Sequence, residues 1–395
     1  MNNFTLDRFE NLTPEEINSL PNLDEAIDDI LIEEESVLDQ FDEYSLNNPK
    51  LYTMPEYRNS YPSDTFFVTR LTSRDSLHPE KYALKPNLDG RAFLFRGQSV
   101  CKNPSLTSAL RKDGRYVSEN IRYCEFIKAL FAHPLIQLFW DGIELGGKKY
   151  YFEVNFQGLA QHYELKTFVM DMTCDVEATK FFAVTEYRDG GYQLVYDESR
   201  YGMVYYYDNI LRPWAFQVDP NQNQMSTIGL QAFPRSGAQK GFLYLMNKGD
   251  NFNKCIGIKW RLFRHNAEIT RRVYDAAKGG SIYFPQDELS SLAGRIRNAN
   301  VLPWDTFENN LWDNPSDDRE TNISLCIKEG LFFSTDAPHI EFSEDEKAIF
   351  RARIANGFWD DFCSHIVFRK HHNRLIEELR QIPERDAYRH YFEWQ

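Results

Sequence analysis

The stretch Ala92-Phe93-Leu94-Phe95 is apolar without a break, and the chain then turns at once to Arg96-Gly97. A run this short and this uniformly apolar fits a strand covered on both faces, and it ends by delivering a guanidinium to the strand's end. Gly202 to Tyr207 and Gly241 to Leu245 read the same way, so the expected core is a sheet. Between these runs the periodicity changes. Over 118–139, Ile121, Cys124, Phe126, Ile127, Leu130 and Phe131 recur at helical spacing, Gly146-Gly147 then turns the chain, and Phe156 to Val184 reads as helix, turn, strand and helix. Thr13-Pro14-Glu15-Glu16 opens a short helix with a capping box and a proline at its first position. A second helix follows from Asp24, with Ile27, Ile30, Leu31, Val37, Leu38 and Phe41 on one face and a run of carboxylates on the other. Ser343-Glu344-Asp345-Glu346 caps a C-terminal helical region whose Ile349, Ile354, Phe358, Phe362 and Ile366 point inward. Helices and strands interleaved without an internal repeat imply an α+β fold with a mixed or antiparallel β core and N- and C-terminal helical extensions. Composition shifts near residue 60 and after 280 divide the chain into an acidic helical extension (1–60), a central domain (61–280) and a mostly helical region (281–395).

No apolar run approaches the roughly 18 residues that a bilayer requires, and the acidic start after Met1 lacks the basic and apolar parts of a signal peptide. The expectation is therefore a cytoplasmic protein with no membrane partner. Six scattered cysteines form no C-x-x-C pair and suggest neither a disulfide framework nor zinc, so no metal site is expected. A net charge of -14 opposes coating of nucleic acid by the whole surface, although a local basic site remains compatible with it. The 30 Phe and 22 Tyr are read first as core, because aromatic side chains serve mainly as buried area.

The polar residues near the apolar runs carry the chemistry. Arg96 at a strand end offers a planar fork suited to a phosphate or diphosphate, and Gly97 lets backbone approach a ligand closely; the competing reading pairs Arg96 with Asp171. His162 at a helix end is a candidate donor or general base, and Tyr163 beside it a candidate stacking surface. Asp171, between Met170 and Met172, needs partners if buried, with Arg96 and the Thr173 hydroxyl as candidates. Gln239 can donate and accept together, which suits a ribose diol.

Three stretches, in order over roughly residues 90 to 250, resemble the FRG-domain family, named for Phe-Arg-Gly. They are Phe95-Arg96-Gly97-Gln98 with Pro104-Ser105-Leu106; Gly158-Leu159-Ala160-Gln161-His162-Tyr163 through Thr173, with Ala178 and Phe181 to Val184 behind it; and Pro234-Arg235 through Gln239-Lys240-Gly241. Glu164, Lys166 and Met172 depart from the glycine, proline and tryptophan usual in that family. The order of motifs is in turn similar to that of ADP-ribosyltransferases. That resemblance implies an ADP-ribosyltransferase-like core, NAD as the substrate, catalytic roles for Arg96, Gln239, His162, Asp171 and Thr173, and NAD contacts from Arg96, Gly97, Gln98, Tyr163 and Arg235. It further implies a toxin or phage-defence effector restrained by an antitoxin or regulatory protein.

One basic and aromatic segment stands out in this acidic chain: Lys259, Arg261, Arg264, Arg271 and Arg272, with Trp260 and Phe263 between them. It reads either as a solvated face pairing with the acidic N-terminal segment or as a groove for RNA or DNA, the acceptor favoured over protein. The acidic segment in turn reads either as a solvated helix packed on the main domain or as a detachable segment that covers a basic substrate site. Two other functions compete with the transferase: a nucleotide-binding sensor without turnover, and a metal-dependent nuclease built on Asp171, Asp175 and Glu177.

Overall fold

Phe93 and Phe95 face one side of their strand and Leu94 the other, and all three are fully buried. The strand they form is therefore internal to the molecule, as an unbroken apolar run requires. The computed structural model describes residues 12–47, 61–71, 80–110, 116–188, 191–209, 225–247, 249–308, 319–369 and 372–394, with the side chains of 41–47 and 372 excepted. Phe41 on the inward face of the second helix thus lies outside the described side chains.

In chain order the strands are β1 (Phe66–Arg70), β2 (Lys81–Pro86), β3 (Phe93–Gln98), β4 (Ile143–Leu145), β5 (Lys148–Phe152), β6 (Val169–Thr173), β7 (Thr185–Arg188), β8 (Gly191–Leu194), β9 (Tyr201–Asp208), β10 (Met225–Thr227), β11 (Gly241–Leu245), β12 (Ile258–Arg264), β13 (Val301–Pro303), β14 (Phe332–Ser334) and β15 (Ile366–Val367). A six-stranded sheet has the order β10-β11-β6-β3-β9-β12, and each of its pairings is antiparallel. A five-stranded mixed sheet has the order β15-β1-β2-β5-β4, in which β1 runs parallel to β15 and β2 parallel to β5. The fold is mixed α+β, and the three strands read from the sequence all belong to the six-stranded sheet.

Alternation places the two faces of that sheet in different cores. Phe93, Phe95, Val204, Tyr206 and Phe263 pack with helix Leu23–Asn47, helix Val176–Val184 and helix Ala267–Ala276. Leu94, Met170, Met172, Met203, Tyr205, Phe242 and Tyr244 pack on the opposite face around Phe252. Tyr163, Tyr205, Tyr206, Tyr244 and seven phenylalanines are the largest fully buried side chains, so the aromatic content goes chiefly into core. A third core joins β1, β2 and β5 to the helices after residue 280 through Leu289, Leu292, Phe350, Phe362 and Ile366. Among the described residues, no helix is long and apolar enough to cross a membrane.

The expected 118–139 helix and the expected C-terminal helical region are each interrupted for a local reason, and in the latter Ile366 stands in strand β15 and Ile349 is 42% exposed rather than inward. The 118–139 stretch forms Tyr116–Phe131 and Pro134–Asp141, because Pro134 has no N–H to continue a ladder and serves as the first residue of a new helix, with His133 as its cap. The region opened by the Ser343 capping box divides at Gly357, whose φ of 83° closes helix Glu344–Ala355 before Phe358–Ser364 begins. Gly146 and Gly147, with φ of 59° and 75°, make the two-residue turn between β4 and β5.

Candidate functional site

Strands β3 and β6 pair only at Phe95 and Thr173, and beyond that point the guanidinium of Arg96 occupies the opening between them. Arg96 Nη1 donates to the carbonyl oxygen of Asp171 at 3.0 Å and to its carboxylate Oδ1. The arginine therefore replaces part of the missing strand ladder while neutralising the acid beside it. No partner among the described residues meets Nε, which is buried, and Nη2 makes no hydrogen bond there either. These two groups share one edge of the guanidinium, the edge that grips an oxyanion bidentately.

Phe95, Arg96, Gly97, His162, Asp171, Met172, Thr173, Phe182 and Gln239 line a single cleft. Residues from three distant stretches of chain are thus brought together. The cleft is nearly closed, with a cavity of about 10 Å³, room for about one water molecule.

His162 is the last residue of helix Phe156–His162 and is 5% exposed. Its ring lies against Gly241, where a Cβ would stand 2.8 Å from Nε2, so a side chain there would displace the imidazole. Neither ring nitrogen has a hydrogen-bond partner among the described residues. Burial drives its pKa down to about 4, Asp171 opposes that shift and Arg235 adds to it, so the ring is neutral at pH 7. Asp171 is the reverse case: burial resists its ionisation, but Arg96 and His162 together hold the carboxyl below its ordinary range. A neutral imidazole and an ionised carboxylate thus face one cavity.

Thr173 and Gln239 are tied to each other. Thr173 Oγ1 donates to the Gln239 carbonyl at 2.6 Å and accepts from the Asp175 N–H at 2.9 Å, so its hydroxyl is a structural clasp rather than an idle nucleophile. Gln239 follows the short helix Pro234–Ala238, and its Nε2 donates to the Tyr283 carbonyl at 2.9 Å. That fixes the amide plane and leaves Oε1 without a hydrogen bond from the described residues.

Other expected contacts fall elsewhere. A Cβ at Gly97 would stand 2.0 Å from the Thr179 carbonyl oxygen and 2.6 Å from Ala183 N, so this glycine lets helix Val176–Val184 pack closely while its backbone lines the cleft. Tyr163 and Arg235 form a layer behind the cleft. The Tyr163 hydroxyl donates to Asp287, and the Arg235 guanidinium lies 4.5 Å over the Tyr163 ring while binding Ser290 Oγ and the His162 carbonyl. Gln98 Nε2 bonds the Val100 carbonyl at 2.5 Å, outside the cleft lining. Met172 packs in the core and also touches the cleft. Sequence reasoning did not single out Phe182, which lines the cleft, or Gln161, which reaches Asp171. Adjacent residues on a helix point about 100° apart, so choosing His162 and Tyr163 gave no direct access to either.

Asp175 caps helix Val176–Val184 through the N–H groups of Glu177 and Ala178, and Glu177 pairs with Lys180 at 3.1 Å. Among the described residues, no group of three or more His, Cys, Asp or Glu stands where it could hold a metal ion. The trio needed for a metal-dependent nuclease does not converge.

The basic segment belongs mainly to β12 and helix Ala267–Ala276, and the acidic helix Leu23–Asn47 lies on it. Glu33 accepts from Lys259 at 2.6 Å, Arg261 at 2.9 Å and the Tyr206 hydroxyl at 2.7 Å. Arg272 pairs with Asp24, and Arg264 Nε donates to the Leu20 carbonyl. Arg271 instead stacks 5.5 Å over Tyr196, which is 46% exposed. The covering helix is built in: Leu23, Ala26, Ile27 and Ile30 are at most 2% exposed, and the buried Glu34 carboxylate accepts the N–H groups of Ala92 and Phe93 at 2.7 and 2.8 Å. It is a packed element of the fold.

No family model, curated protein or solved structure matches this chain.

Proposed function

We propose that the cleft binds NAD and transfers its ADP-ribose to a macromolecule, as a toxin or phage-defence effector held in check by a partner protein. The observation that carries this reading is the meeting of Arg96, His162, Asp171 and Gln239 at one cavity, with the His162 ring nitrogens and the outer edge of Arg96 lacking partners among the described residues. In such a reaction the bond from ribose C1 to the nicotinamide nitrogen breaks, and its electron pair leaves with nicotinamide. The cationic ribose carbon is stabilised by the Asp171 carboxylate, while the Nε/Nη2 edge of Arg96 holds the diphosphate. Neutral His162 accepts the proton of the attacking acceptor group. Gln239 Oε1 accepts from a ribose hydroxyl, and Phe182 supplies the aromatic wall first assigned to Tyr163. The small cavity requires Phe182 and its neighbours to move aside for a dinucleotide.

Nucleic acid is proposed ahead of protein as the acceptor; Arg264, bound to a carbonyl, and Arg271, stacked on exposed Tyr196, are the members of the basic segment without a carboxylate partner among the described residues. The test is incubation of the protein with labelled NAD, RNA, DNA and cell protein, followed by chromatography for free nicotinamide and mass spectrometry of each acceptor. Free nicotinamide together with label on one acceptor class supports the transferase, and NAD that remains intact excludes it.

A nucleotide sensor is the second reading, favoured by the nearly closed cavity and by the Arg96–Asp171 pairing that already satisfies both charges. It predicts a raised Tm with NAD and no nicotinamide release.

A further inference from the structure

Asp171 receives two donors on the same oxygen. Arg96 Nη1 and Gln161 Nε2 both reach Oδ1, the latter at 3.2 Å, and no hydrogen bond from the described residues reaches Oδ2. Gln161 precedes His162 on the same helix, and its own carbonyl oxygen is occupied: Thr167 Oγ1 donates to Oε1 at 2.5 Å, with Ser108 Oγ 3.4 Å away. Ser108 Oγ in turn accepts the Thr167 N–H at 3.0 Å. An ionised carboxylate only accepts, so the amide must present its nitrogen to Asp171; turned over, it would set Oε1 against Oδ1. The chain Ser108, Thr167, Gln161, Asp171 therefore has one consistent sense.

We propose that Gln161 is a positioning residue that, held by Thr167 and Ser108, fixes the Asp171 carboxylate with Oδ1 committed to the protein and Oδ2 left for a donor of the ligand. The cleft then selects ligands that bring a hydroxyl to that oxygen, a ribose hydroxyl being the class in question. The identity of that donor rests on the transferase reading, whereas the positioning contact does not. The charged and titratable groups facing Asp171 are Arg96 from β3, His162 from the helix and Tyr192 from β8, and Gln161 is the neutral donor among them.

The test uses the full chain with ¹³C-labelled aspartate and follows the Asp171 carboxyl by NMR as pH is varied. Gln161→Ala is expected to raise its midpoint, Gln161→Glu to raise it further by adding a like charge, and Thr167→Val to raise it less, with CD and Tm confirming a folded chain. In parallel, NAD turnover by Gln161→Ala is expected to fall about tenfold, the loss of roughly one hydrogen bond, mainly in kcat and with the acid limb of the pH profile moved upward. A midpoint unmoved in all three variants overturns the proposal, and so does a moved midpoint with unchanged turnover. A moved midpoint in a protein whose wild type never cleaves NAD supports the positioning contact and removes the transferase reading instead. Should Gln161→Ala fail to fold, Thr167→Val decides, since it leaves both Gln161 and Asp171 in place.

Discussion

His162 holds a buried imidazole whose pKa of about 4 lies below its ordinary 6.5, so the sign of its linkage to pH can be worked out. Above pH 6.5 both folded and unfolded chains carry it neutral, and it contributes no pH dependence. Between 6.5 and about 4 the unfolded chain takes up a proton that the folded chain refuses, so stability falls with pH, by a total on the order of 3 kcal/mol. His133 and His265, also lowered by burial, act in the same direction. His162→Gln is therefore expected to flatten part of that decline, read from urea denaturation at pH 7 and pH 5; an unchanged difference between the two pH values would show that the ring is protonated in the fold. Arg96→Ala is expected to abolish NAD turnover, a loss on the order of 100-fold or more, and Arg96→Lys to restore little, because an ammonium lacks the two-donor edge. A variant that unfolds instead assigns Arg96 to the strand opening alone.

Neighbouring side chains of helix Leu23–Asn47 behave differently because one is buried and the other is half-exposed. Glu34→Ala strands the N–H groups of Ala92 and Phe93 in the core, at about 1–3 kcal/mol each, and is expected to lower Tm markedly. Glu33→Ala frees Lys259 and Arg261 at the surface, where ion pairs contribute at most about 1 kcal/mol, so stability is expected to change little. The same change is expected to raise nucleic-acid affinity at low salt and not at high salt. Fluorescence anisotropy with a labelled RNA reads this directly, and no gain at low salt would remove β12 from any acceptor path. Much of this scale was legible beforehand: the three short apolar runs are strands, and both capping boxes stand where Thr13 and Ser343 announce them. The partners were not. Nothing local to Lys259 or Gly97 reveals Glu33, 226 positions away, or the helix carbonyl of Thr179 pressed against the glycine.

At the scale of the whole molecule, the site's main residues were legible because their motifs stand in order along the chain, while their roles depended on which way each side chain turned. Tyr163 and Arg235 are adjacent to the cleft in sequence and behind it in space, where they bind Asp287 and Ser290. The five-stranded sheet depends on a longer connection still. Ile366→Ala removes a 1% exposed side chain from the strand beside β1 and is expected to cost about 2–5 kcal/mol in urea denaturation, and a loss below 1 kcal/mol would show that β15 contributes little to closing that sheet. This pairing also has a consequence in time. A ribosome adding about 5–20 residues per second delivers Ile366 roughly 15 to 60 s after Phe67. Throughout that interval the outer edge of β1 has no strand to pair with, whereas β12, the last strand of the sheet that holds the cleft, is complete before β15 is made. The nascent chain thus holds every strand of the cleft-bearing sheet before its other sheet can be completed, and the open edge of β1 is left for a chaperone to cover while translation is still under way.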